Sequence, residues 1–285
     1  MDVAINAAFD IVSFASIIVL IVLGLGVIAS MMGIFNFAHG EFVLLGAYTT
    51  YLFHVSGLPV WLGMLAAPFV VGFFGLALER TVIRRFYASP VVAMLGTYAI
   101  GVVIRETVRG LIGGLYHAVP EPIVGSFAFG DISVSKWRAV IIIVTALVMV
   151  GSYMLLTRTN LGLKVRAALE NPSLARASGI STNQIYAVTF AFGAALAGLA
   201  GALMVPLFSL FADLGVRFLI QGFLAVMLGG IGSFDGPVLG AAIIGVMTAS
   251  LPWVVSPVLA DVLVFVIAIV IVKIKPTGLL KAGRA

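Results

Sequence analysis

Cysteine is absent from the 285-residue chain, so it carries no disulfide framework and no thiolate metal site. Charge is scarce: 9% of the residues are Asp, Glu, Lys or Arg and 62% are hydrophobic, where a soluble domain holds about 25% charged residues. So few charges cannot clothe a water-facing surface, and the mean hydropathy of +1.23 makes a bilayer the solvent. A cytosolic enzyme, a nucleic-acid binder and a disordered scaffold are thereby excluded. The first ten residues, MDVAINAAFD, lack Lys and Arg, so no cleavable signal peptide is expected. A Walker-type nucleotide loop, an HExxH helix and a kinase-like motif set are missing too. The chain is therefore not expected to hydrolyse ATP. No Ser–His pair stands at a recognisable spacing, which disfavours an intramembrane protease. No row of intramembrane acids points to a proton relay.

What is present is a series of long apolar runs. A spanning helix needs about 20 mostly apolar residues. Such runs are predicted at about 8–31, 59–78, 90–112, 139–156, 184–211 and 254–272, and 216–252 reads as two helices around a Gly/Pro turn. A shorter apolar stretch at 36–55 gives nine passes if it spans and eight if it is a re-entrant half-helix. The expected fold is an all-α polytopic membrane protein of eight to nine transmembrane helices, including broken or re-entrant segments, in one transmembrane domain over 1–285. The net charge of +5 is topological, because Lys and Arg cluster between the runs. Arg80, Arg84 and Arg85, then Arg158, Lys164, Arg166 and Arg176, then the basic tail from Lys273 fall on one side in the nine-pass count. The positive-inside rule places that side in the cytoplasm, with the N-terminus outside and the C-terminus inside. With eight passes the N-terminus is inside. Glycine is dense, at 32 residues. Gly193, Ala197 and Gly201 fall at i, i+4, i+8, a small-residue stripe read as helix packing.

Three segments are unusual for a simple bundle. Asn36, His39 and Glu41 place an amide, an imidazole and a carboxylate at the junction of two apolar runs. They read either as a broken helix lining a transport path or as an interfacial turn with Asn36 capping a helix; His39 and Glu41 are too few ligands for a metal. The second segment, 229–237, holds Gly229, Gly230 and Gly232. It reads first as a plain turn between packed helices, and second as a candidate element of the path. In it Asp235 is placed to cap the following helix, and no Lys-Ser/Thr follows to cradle phosphate. The third, 157–183, reads as two short amphipathic helices flanking the break at Asn171 and Pro172, with Gly179 at the second helix's C-cap. It presents Arg166, Glu170 and Arg176 to a soluble partner or to anionic lipid. Arg105 and Arg109 share a helix face one turn apart; beside Glu106, they face an aqueous vestibule or snorkel to the outer interface.

Several of these segments together resemble a known family. GIFNFAHGEFVLLGAY (33–48) resembles the opening signature of LivH-type permease subunits of branched-chain amino acid ABC importers. KVRAALENPSLARASGIS (164–181) resembles their cytoplasmic coupling loop, and AFGAALAGLAGAL (191–203), VMLGGIGSFDGPVLGA (226–241) and PTGLL (276–280) resemble later segments. The resemblance implies a non-enzymatic, pore-lining permease of a bacterial or archaeal inner membrane, working by alternating access. It implies a second homologous permease subunit, two cytoplasmic ATPase subunits that bind the ATP and Mg, and an extracytoplasmic substrate-binding protein, with no cofactor in this chain. Similar permeases serve branched-chain amino acids, urea or short amides, and small aromatic or other acids. The rival expectation is a stand-alone carrier or channel with inverted repeats, supported by a faint echo between 33–47 and 230–241. In the nine-pass topology both breaks lie on the same side, which does not fit a simple inverted pair. An intramembrane enzyme is a third and remote reading.

Overall fold

A computed structural model describes residues 2–33, 35–87, 89–129 and 132–280. The chain is a helical membrane protein. α1 (Asp2–Met32), α2 (His39–Val55), α3 (Val60–Thr81) and α4 (Pro90–Ile112) are followed by a two-stranded antiparallel hairpin, β1 (Ser126–Phe129) and β2 (Ile132–Ser135). α5 (Lys136–Arg158), the short α6 (Asn160–Glu170) and α7 (Pro172–Ala177), α8 (Thr182–Met204), α9 (Leu214–Gly229), α10 (Asp235–Ser250) and α11 (Pro257–Ile274) complete it. The hairpin occupies the connection between α4 and α5 and pairs Ser126 with Ser135.

α1 and α8 are buried along most of their length and form the centre, while α4, α5 and α11 turn most of their surface outward. α1 runs against α8, α10 and α5, and α2 sits among α3, α8 and α9. Close approach comes from small residues. A Cβ on Gly201 would stand 1.9 Å from the Val43 carbonyl oxygen of α2, and one on Gly193 would stand 2.6 Å from Ile28 of α1. Ala197, between them, is fully buried. The stripe therefore lies against two different helices.

Helix ends follow local rules. Pro90 and Pro257 occupy first-turn positions, where a missing N–H costs nothing. Gly33, at φ +67°, stops α1. α10 departs from the expected cap: the Ser233 hydroxyl, and not Asp235, accepts a helix-start N–H, that of Gly236 at 3.1 Å. Asp235 is the first residue of the helix itself.

Among the described residues seven helices, counting α10 with the turn after it, are long and apolar enough to cross a bilayer. α2, with 17 residues, and α9, with 16, fall short of a full span. Counted through both, the described chain passes nine times between two poles. Asp10 of α1 pairs with Arg138 of α5 at the first pole. At the second, the N–H groups of Leu279 and Leu280 donate to the carbonyls of Leu228 and Gly229 at the end of α9. The 36–55 stretch is thus neither a full spanning helix nor a separate loop: an unwound segment precedes a short helix.

Candidate translocation site

The unwound segment after α1 is fixed by its own residues. The Asn36 side-chain oxygen accepts from the Ala38 N–H at 3.0 Å, folding the chain back locally. The Phe37 N–H donates to the Thr97 hydroxyl of α4 at 3.1 Å, and that hydroxyl donates to the Ala93 carbonyl. His39 is fully buried, and its Nε2 donates to the Ile21 carbonyl at 3.0 Å. Ile21 lies in the middle of α1 and Thr97 about two turns into α4, so α2 begins within the bundle and not at its surface.

α9 begins at the same depth. A Cβ on Gly40 would lie 2.4 Å from the Gly215 carbonyl oxygen, and one on Gly215 would lie 2.2 Å from that of Gly40. The first turns of the two short helices thus touch backbone to backbone. Each brings a carboxylate, Glu41 in the first turn of α2 and Asp213 at the N-cap of α9, where helix dipoles favour negative charge. Arg105 links them, 3.4 Å from Glu41 and 3.7 Å from Asp213. Arg109 holds Asp213 through two bonds of 2.8 Å and Glu106 at 2.8 Å. Three carboxylates share two guanidiniums. The two arginines of α4 therefore bind the helix junction; snorkelling alone does not describe them. Glu41, the most deeply buried of these groups, is accommodated in an apolar body through its pairing with Arg105.

A groove runs along α9 from the first pole and past this junction. Its first part is a cavity of about 350 Å³ bordered by Asp10, Arg138, Arg217, Thr248 and Asp261. A second, of about 430 Å³, shares Arg217, Thr248 and Asp261 with the first and continues past Asp213, Gln221 and Leu224. A third, of about 360 Å³, shares Leu224 and Phe265 with the second and ends on Phe35, Phe37, Met94 and Phe223. The lining thus passes from charged to wholly apolar.

The residues singled out in the sequence fall in three places. Glu41 belongs to the charged junction. Asn36 and His39 are fully enclosed, and it is their neighbours Phe35 and Phe37 that border the groove. Gly229, Gly230 and Gly232 are not brought to the junction. They lie at the far end of α9, about 20 Å along it, where Gly230 and Gly232 take φ of +98° and +100° and a Cβ on Gly230 would stand 2.8 Å from the Thr277 carbonyl oxygen. Arg166, Glu170, Asn171, Pro172, Arg176 and Gly179 share the α6–α7 unit. Asn171 caps α7 through its side chain, accepting from Leu174 N–H at 2.9 Å, with Pro172 in the first turn. Gly179, at φ +80°, ends it. Arg166 also donates to the Leu156 carbonyl of α5.

Thr97, Asp213, Arg217, Thr248 and Asp261 join the site only in the fold. In the sequence Arg217 and Asp261 carry a signal, a lone charge inside an otherwise apolar run. Glu79 is another residue that only the fold brings out, fully buried at the second pole, where Arg84 reaches it at 3.3 Å and the Tyr87 hydroxyl donates at 2.8 Å. Burial first, then the bond to Glu79, pushes the Tyr87 phenol above its ordinary value. Among the described residues no three His, Asp or Glu gather to hold a metal.

Short helices that start in mid-body and bring their first turns together are a feature of solute sites in transporters. The profile of the branched-chain amino acid transport system / permease component family matches residues 7–272. The chain belongs to this permease family. It is 32% identical to the high-affinity branched-chain amino acid transport permease BraD of Pseudomonas aeruginosa, over 92% of this chain and 90% of that one. It is 30% identical to LivH of Salmonella typhimurium, over 95% and 94%, and 31% identical to a probable LivH of Methanocaldococcus jannaschii, over 82% and 76%. No solved structure matches it.

Proposed function

We propose that this permease is the transmembrane subunit of a binding-protein-dependent ABC importer that carries branched-chain amino acids across a bacterial or archaeal inner membrane. The observation that carries the reading is the meeting of α2 and α9 at Gly40 and Gly215, beside the groove along α9. A second homologous permease subunit closes the open side of that groove, against which α4 and α11 present little-buried faces. Two cytoplasmic ATPase subunits, which hold the ATP and Mg, dock on α6–α7. This unit exposes Leu163, Arg166, Glu170, Leu174 and Arg176. The basic residues of 80–85, 157–183 and the tail support a cytoplasmic second pole, with the N-terminus outside and the C-terminus inside. An extracytoplasmic binding protein delivers solute to the first pole. Closure of the ATPase pair moves α6–α7 and shifts the bundle between outward- and inward-open states.

The test is uptake by proteoliposomes holding the assembled complex, with the binding protein outside and a panel of leucine, urea and a small aromatic acid. Leucine uptake is expected; uptake of urea or the aromatic acid alone assigns the permease to another branch of solutes.

A further inference from the structure

We infer that Arg217 and Asp261 form a recognition point for a zwitterionic α-amino acid at the junction of the two outer cavities. The inference rests on the amino-acid reading above and adds the residues that hold the solute. Arg217 lies near the start of α9 and Asp261 near the start of α11. Both are single charges in apolar helical runs. Neither enters an ion pair or a side-chain hydrogen bond among the described residues, although Asp10 with Arg138 and Arg109 with Asp213 are paired nearby. A cation at a helix start opposes the helix dipole, so α9 itself gains nothing from Arg217.

The two side chains border both the cavity of about 350 Å³ and the cavity of about 430 Å³. A solute passing from one to the other meets both side chains. Two further polar groups await partners there. The Thr248 hydroxyl and the Gln221 side-chain oxygen belong to residues only 7% exposed, and neither has a hydrogen-bond partner among the described residues. Buried polar atoms are rarely left unpaired without a functional reason. Ile220, Leu224, Val264 and Phe265 supply an apolar wall beside them.

The chemistry matches one class of ligand. Arg217 offers a forked donor to a carboxylate, Asp261 accepts from an ammonium group, and the wall receives an aliphatic side chain. A neutral amide uses neither charge fully, and a simple carboxylic acid leaves Asp261 unanswered.

The absence of cysteine from the chain permits a direct test in the assembled complex. Thr248→Cys is treated with a thiol reagent and the adduct is read on this subunit by mass spectrometry. Trp253→Cys, on the exposed rim of the first cavity, serves as a second probe where Thr248→Cys fails to assemble. Millimolar L-leucine is expected to slow labelling about tenfold, whereas 4-methylpentanoate and 3-methylbutylamine, each lacking one charge, do not. Arg217→Gln or Asp261→Asn abolishes the protection, and Arg217→Lys keeps part of it. Absence of protection by leucine, or protection unchanged by both neutralisations, overturns the site. Leucine uptake by the unmodified complex is measured in parallel. Its absence refutes the amino-acid reading itself, while uptake without protection refutes only the assignment of Arg217 and Asp261.

Discussion

Replacing Gly215 with alanine adds one methyl group where two backbones touch. The new Cβ would lie 2.2 Å from the Gly40 carbonyl oxygen, against an ordinary contact of 3.4 Å or more. The first turns of α2 and α9 must therefore separate by about 1.2 Å, the difference of those two distances. Neither side can yield locally, because the obstacle is backbone held by helical hydrogen bonds. Asp213, two residues away, would be drawn from Arg109, which it now meets at 2.8 Å. Overpacking of this kind costs about 1–3 kcal/mol. Gly110→Ala in α4 is the control, since a Cβ there meets nothing within 4 Å and alanine favours a helix by up to about 1 kcal/mol. Thermal unfolding of the purified complex and its uptake rate read both variants. Gly215→Ala is expected to lower stability and uptake together, and Gly110→Ala to leave uptake intact. Wild-type melting and wild-type uptake in Gly215→Ala would refute the contact between the two helix starts.

Other consequences are as direct. Thr97→Val leaves the Phe37 N–H without its acceptor, costing about 1–3 kcal/mol; thermal unfolding should show the loss, and an unchanged midpoint would mean the break is not held by α4. Single cysteines at Ser173 and Ser126 should label from opposite sides of intact cells, Ser126 from outside; labelling of both from outside would contradict the topology. Glu170→Lys alters the charge of the proposed ATPase-docking face, and Gly179→Val places a side chain at φ +80°, which strains the turn by about 1 kcal/mol or more. Each should lower uptake relative to binding-protein-stimulated ATP hydrolysis without preventing membrane insertion, and unchanged rates in both variants would remove α6–α7 from the coupling path.

Local features of the structure were legible in the sequence to the extent that their causes are local. Asn171, Pro172 and Gly179 specify a capped helix, its first turn and its end within nine residues, and α6–α7 follows. Gly229–Pro237 likewise reads as a turn between two helices. The depth of α2 was not readable, because it depends on Ile21 and Thr97 receiving His39 and Phe37 from distant segments. The charged junction was hidden for the same reason: Arg109 and Asp213 are separated by 104 residues. Asn36 and His39 drew notice as polar residues in an apolar context. That context has two solutions, a wet path or an enclosed hydrogen bond, and here the side chains are enclosed. Asp235 failed as a cap because Ser233 stands earlier in the turn with a shorter side chain within reach of Gly236.

Energy source and delivery together define the importer, and one uptake experiment addresses both. Proteoliposomes containing the complete complex are sealed with ATP and Mg inside, and labelled leucine is offered outside with and without the binding protein. Accumulation above the external concentration is expected only when both ATP and the binding protein are present. Accumulation driven by an ion gradient without ATP, or simple equilibration without the binding protein, would contradict the account and make the chain a stand-alone carrier or channel.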